Sequence, residues 1–168
     1  AGLTAGLCVN SIELLNHIAG SKAIVTGATG GVGCIAVKLL SKLGAEVTAI
    51  TGKNSSEGFL RSIGASKVMI RDHFISTVKK PMGKAVWDIA IDVAGGNLLS
   101  GLIASMKYDG VVTCCGLVDT PKFDTTVFPF ILRGVSLIGI ESAEESIHNK
   151  TKIWENFASK WKLNNLKE

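Results

Sequence analysis

What most constrains this chain is a change of rhythm near its start. Residues 22–26 (KAIVT) form a short β-branched run, and the glycine-rich turn GATGG follows at once. Beyond the turn, Val32, Ile35, Ala36, Leu39, Leu40 and Leu43 recur at helical spacing until Gly44 stops them. A strand that runs through a glycine turn into a sheet-covering helix is the opening of a βαβ unit, and residues 46–51 (EVTAIT) supply its second strand.

The same rhythm continues. A helix capped by Ser55 or Ser56 and ended by Gly64 precedes a third strand at 67–70; a brief helix (DHFISTVKK) precedes a fourth at 86–92. A helix over 97–106 leads to a fifth strand at 110–115, and a sixth lies at 135–140. Between the last two runs a long connection, GLVDTPKFDTTVFPFILRG, contains Pro121 and Pro129. A helix over 4–17 opens the chain, and a last one begins near Ala143. In that last helix Ile147, Lys150, Trp154, Phe157 and Trp161 make a stripe expected to bury it against the sheet. Several strands are apolar on both faces, as in a parallel sheet covered on both sides. Right-handed crossovers then favour a Rossmann-type, doubly wound α/β fold with six strands in the order 3-2-1-4-5-6.

The 168 residues suffice for one substantial core, so residues 1–168 are expected to form a single dinucleotide-binding domain. Basic residues outnumber acidic ones by 18 to 14 without clustering, which gives no footprint for a nucleic-acid partner. No apolar stretch reaches the roughly 18 residues of a membrane span, and no signal peptide opens the chain. A cytoplasmic location is expected. Cys8, Cys34, Cys114 and Cys115 contain no CxxC pair, and the neighbouring Cys114 and Cys115 face opposite sides of a strand, so no metal site is expected. The chain opens inside a periodic apolar run without an initiator Met, which suggests a domain cut from a longer protein.

The glycine turn then acquires a ligand. Where such a turn joins a first strand to a helix N-terminus, a pyrophosphate can rest on free amides. Ala28, Gly30 and Gly33 take the three fingerprint positions, with Thr29 between them, Gly31 and Val32 as amide donors, and Gly27 sharing the tight turn. No Gly-Lys-Ser/Thr follows, which excludes a Walker A loop. Cofactor type turns on the end of the second strand, where an NAD site places an acid roughly 20 residues on. Here Thr51, Gly52 and Lys53 stand instead, and Arg71 can reach the same point from the third strand. A hydroxyl and two cations suit a 2′-phosphate, so NADPH is favoured over NADH. Small residues Ala94 and Gly116 at the ends of strands four and five are expected to wall the cofactor. Asp88 and Asp92, inside strand four, are expected to bond to backbone or nearby loops and not to act in catalysis.

With these residues in place the chain resembles the cofactor domain of a medium-chain dehydrogenase/reductase. The likeness is to the quinone oxidoreductase branch and, within it, the NADPH-dependent acryloyl-CoA reductase group. The blocks that carry it are AGLTAGLCV, VTGATGGVG, AITGK, LRSIGASKV, RDHF, IDVAGG, CCGLV and TTVFPFILRGVSLIGIES. The resemblance implies a phosphate-reading trio at Thr51, Gly52 and Lys53, where the family has Ser-Gly-Arg. It also implies a loop from Leu117 to Phe123 bordering the cofactor and a segment FPFILRG near the substrate cleft. The implied reaction is zinc-free hydride transfer from NADPH to the double bond of an enoyl-CoA or quinone-like small molecule. An N-terminal catalytic domain and a segment after residue 168, both outside this chain, would supply the substrate pocket, so the chain alone is expected to be inactive, and a homodimer would form through strand 135–140. Two alternatives stay open: a general quinone or alcohol dehydrogenase of the same superfamily, and a non-catalytic nucleotide-sensing domain.

Overall fold

The computed structural model describes residues 1–78 and 80–163. In chain order the elements are α1 (Gly2–Glu13), β1 (Lys22–Val25), α2 (Gly31–Lys42), β2 (Glu46–Thr51), α3 (Glu57–Ser62), β3 (Lys67–Ile70) and α4 (Arg71–Thr77). They continue as β4 (Trp87–Asp92), α5 (Gly96–Ser105), β5 (Met106–Cys114), α6 (Phe128–Arg133), β6 (Ser136–Gly139) and α7 (Ile147–Ala158). The strands form one parallel sheet in the order β3-β2-β1-β4-β5-β6. This is the order expected from the crossover rules. β1 lies at the centre, with Val25 opposite Ala49 of β2 and Ile91 of β4.

Each sheet face carries its own apolar layer. On one face α1 and α2 pack over Ala23, Val25, Val47, Ile89 and Ile91; on the other α5 packs over Ile24, Ile50, Ala90 and Val112. Alternate residues of β1 therefore feed opposite cores, which is why its sequence reads as apolar throughout. Cys114 and Cys115 divide in the same way, the first on the α5 side and the second on the α1 side.

Four local expectations need correction. The first helix stops at Glu13 and not at His17, because the Asn16 side chain accepts the His17 amide at 2.8 Å and turns the chain. The fifth strand starts at Met106, since Met106 pairs with Trp87. The register then shifts before Ile89 meets Val111, and Asp109, with φ of 56°, sits in that irregularity. The proline-containing connection holds a helix, α6. Pro129 falls within its first turn, where a missing N–H costs nothing, and Gly134 ends it at φ 64°. The last helix begins at Ile147, capped by Ser146, whose hydroxyl accepts the Asn149 amide at 3.2 Å.

The last helix buries only part of the stripe that was expected. α7 lies against α1, with Ile153 and, just beyond the helix, Trp161 buried and Phe157 half-buried, while Ile147 and Trp154 are 79% and 53% exposed. Gly6 of α1 makes the contact possible: a Cβ there would collide with Ile153 and stand 2.9 Å from the Phe157 ring. Among the described residues, no helix is long and apolar enough to cross a membrane.

Candidate functional site

The crevice of an open parallel sheet lies at the C-terminal ends of the strands where successive connections leave to opposite faces. Here that point falls between β1, which continues into α2 on one face, and β4, which continues into α5 on the other. The glycine loop is fastened there on both sides. The Thr26 amide donates to the Ile91 carbonyl of β4 at 3.0 Å, and the Ala28 amide donates to Ile50 of β2 at 3.1 Å. Gly27 makes the sharp turn at φ 56°, a conformation that favours glycine.

α2 begins with its donors open. No side chain caps it, and the first bond to its N-cap, Gly30, comes from the Cys34 amide at 2.9 Å. The amides of Gly31, Val32 and Gly33 thus have no acceptor inside the helix, and together with the helix dipole they form a cradle for an anion. Gly33 brings helix and loop together: a Cβ at this position would overlap the Gly27 carbonyl and stand 2.8 Å from Ala28 Cα. Ala28 itself is fully buried, so it shapes the loop by its backbone.

Beside the loop lies a cleft of about 130 Å³. Thr29, Thr51, Gly52, Arg71 and Ala94, all singled out from sequence, line it. Thr51 is buried and its hydroxyl accepts the Lys53 amide at 3.0 Å, which folds the end of β2 back on itself. Arg71, the first residue of α4, places its guanidinium carbon 3.9 Å from where a Gly52 Cβ would be. Arg71 also touches Asp72, Nε to Oδ1 at 3.3 Å, an exposed and weak pair. Lys53, Leu117 and Phe123 are exposed and stand outside the cleft's lining. Gly116 serves strand packing, since a Cβ there would overlap the Val93 carbonyl.

Gly27 of the tight turn and, from the Leu117–Phe123 loop expected to border the cofactor, Val118 and Asp119 line the cleft as well; Ile50 and Leu98 also line it, and sequence reasoning left those two out of the site. The loop after β5 brings in Val118 and Asp119: the Asp119 amide donates to the Ala94 carbonyl at 2.9 Å, and Thr120 bridges to Gly95. The Asp119 carboxylate lies against Gly96 at the start of α5, an acid at a helix N-terminus. Gly95 and Gly96, at φ 75° and 58°, were the available signal that the chain turns sharply there. A larger hollow of about 720 Å³ lies between α4 and α5 under residues 124–126. Neither the glycine loop nor the end of β2 reaches it, so it lies apart from the residues singled out in sequence.

Fold and crevice together define a Rossmann-type dinucleotide-binding domain. The chain belongs to the zinc-binding dehydrogenase family, whose model matches residues 31–159. It is 42% identical over 92% of its length to the probable acrylyl-CoA reductase AcuI of Escherichia coli K12, covering 48% of that protein. Among solved structures it resembles Escherichia coli K-12 YhdH with bound NADPH, with a TM-score of 0.89 and 41% identity over 95% of this chain and 49% of that one. It also resembles Bacillus subtilis YhfP with NAD bound, with a TM-score of 0.91 and 38% identity over 95% of this chain and 49% of that one. The likeness to acryloyl-CoA reductases and quinone oxidoreductases, read from the sequence blocks, is thereby borne out. The chain spans about half the length of the curated relatives it matches.

The family's name implies zinc, and the residues present do not fit it. Among the described residues no group of three or more His, Cys, Asp or Glu side chains converges. Cys114 and Cys115 face opposite cores.

Proposed function

We propose that this chain is the NADPH-binding domain of a reductase that saturates the activated carbon-carbon double bond of an enoyl-CoA, acryloyl-CoA-like or quinone-like acceptor. The observation that carries the reading is the pairing of two anion sites one strand apart. The uncapped first turn of α2 suits the pyrophosphate, and the end of β2 offers Thr51, Gly52 and Lys53 with the Arg71 guanidinium alongside, where an NAD-specific site would place an acid. Gly30, Gly31, Val32 and Gly33 would hold the pyrophosphate, with Ala28 and Thr29 shaping the turn. Ala94 and Gly116 would flank the ribose and nicotinamide, and Leu117 and Phe123 would close over them. The chemistry supplied by the bound cofactor is hydride donation. This chain's residues bind and orient it, and no catalytic residue is assigned among them. The substrate pocket and proton donor are assigned to the half of the relatives' length that this chain does not span. We assign the full-length protein to the cytoplasm and to a homodimer paired through β6.

Titrating the full-length protein with NADPH and NADH tests this reading. Tighter binding of NADPH is expected, together with a loss of more than about tenfold in Lys53→Asp, where attraction to the 2′-phosphate becomes repulsion. A specific observation favours a second reading: the similar YhfP has NAD bound. Equal affinity for the two nucleotides, unchanged in Lys53→Asp, would establish that reading and reduce Lys53 to surface charge.

A further inference from the structure

Asp92 is a carboxylate closed off from solvent at the C-terminal end of β4. Its Oδ1 accepts the Thr26 hydroxyl at 2.7 Å. Its Oδ2 accepts the Gly95 amide at 2.8 Å and, more loosely, the Cys114 thiol at 3.8 Å. These partners are all neutral dipoles. Burial pushes the carboxyl above its ordinary range, against the pull of the Thr26 hydroxyl and of the Gly95 and Ala94 amides. A carboxylate so placed is costly to bury unless its hydrogen bonds are complete. The bonds it makes fall on residues that lead into the crevice loops of β1, β4 and β5.

Thr26 extends the network one step further. Its oxygen accepts the Val93 amide at 2.9 Å while its hydrogen goes to Asp92. Val93 is where the other two loops close in. A Cβ on Gly27 would stand 3.4 Å from Val93 Cβ, and Gly116 lies flat against the Val93 backbone. The position of Val93 therefore sets the spacing between the glycine loop, the turn into α5 and the end of β5.

We propose that Asp92, acting through Thr26, is a positioning residue for the nucleotide site: it fixes the three crevice loops relative to one another and touches no ligand itself. This rests on the NADPH reading above. Asparagine at position 92 keeps the shape but exchanges one acceptor for an NH2 group, leaving either the Gly95 amide or the Thr26 hydroxyl facing a donor. Valine at position 26 keeps the shape and deletes the relay, whereas serine retains it.

The test takes the full-length protein and the variants Asp92→Asn, Thr26→Val and Thr26→Ser. Each is titrated with NADPH by nucleotide fluorescence, well below its own unfolding midpoint. Thr26→Ser binds as the wild type does, while Asp92→Asn and Thr26→Val bind roughly tenfold more weakly. Unchanged affinity in both, with only the unfolding midpoint lowered, overturns the proposal, because a merely structural bond does not alter the affinity of the folded fraction. If Asp92→Asn does not fold, the Thr26 pair decides, and equal binding by Thr26→Val and Thr26→Ser overturns it. Absence of NADPH binding by the wild type would be a different failure: it overturns the underlying reading of the site and the proposal with it.

Discussion

Gly33 shows how much of this site depends on one missing methyl group. Its Cα approaches the Gly27 carbonyl and Ala28 so closely that a Cβ must displace backbone and not a flexible side chain. Gly33→Ala is expected to cost about 1–3 kcal/mol by overpacking, read by chemical denaturation, and to weaken NADPH binding as the loop is pushed from the α2 amides. Full stability in that variant would show that the loop relaxes freely. Asp88, at the opposite end of β4, behaves differently from Asp92. Burial alone would raise its carboxyl, but the Lys107 ammonium at 2.9 Å and the Lys22 amide at 2.8 Å outweigh this and hold it below the ordinary 3.8, with His17 adding a smaller pull. A folded-state value below the unfolded one stabilises the fold above the unfolded value and is lost as pH falls through the folded value. The Tm advantage of the wild type over Asp88→Asn is therefore expected in full well above the ordinary 3.8 and should be lost only as the pH falls through the lower folded value. An advantage undiminished in strong acid would mean that it does not arise from the ionised carboxylate facing Lys107.

At the level of elements, the strands were legible because each carries its own signature, a short β-branched run bounded by glycine or polar residues. Right-handed crossovers then left few topologies, and two βαβαβ halves in the order 3-2-1-4-5-6 were the most economical of them. The site was legible wherever a residue type had one reason to be there, as with Gly27, Gly30 and Gly33 in a strand-to-helix turn. It was illegible where tertiary contact decides. The resemblance pointed to the loop from Leu117 to Phe123, but that Val118 and Asp119 line the cleft while Leu117 and Phe123 do not follows from the pairing of that loop with Ala94 and Gly95, which nothing in its local sequence encodes. The stripe of α7 was read only in part for a similar reason: Phe157 and Trp161 pack against the core, but Ile147 and Trp154 are exposed. Spacing from Ile147 picks out Trp154, yet the partner surface is the small-residue face of α1, and Gly6 admits Ile153 instead. Ile153→Ala should accordingly cost about 2–5 kcal/mol, whereas Ile147→Ala should fall within about 0.5 kcal/mol of the wild type. Equal costs by urea denaturation would return α7 to the orientation that its spacing suggested.

On the scale of the whole molecule the open question is the edge of the sheet. β6 is the last strand, and it follows α6, whose Phe128, Ile131 and Leu132 are 48%, 70% and 55% exposed. An unpaired edge beside an apolar helix invites pairing with another copy of the chain. The direction of the backbone donors can be worked out. The Ile140 amide donates inward to the Cys114 carbonyl at 2.9 Å, and amides alternate along a strand, so those of Leu137 and Gly139 point to the open edge. Leu137 packs in the core and cannot be changed without damage, but a Cβ on Gly139 meets nothing within 4 Å. Gly139→Pro therefore deletes an outward donor while sparing the bonds to β5. If copies pair through β6, light scattering should find the full-length wild type dimeric and Gly139→Pro monomeric at the same concentration, with the circular dichroism of both alike. A variant that stays dimeric would move the interface away from this edge, leaving the exposed face of α6 to pair by side chains alone.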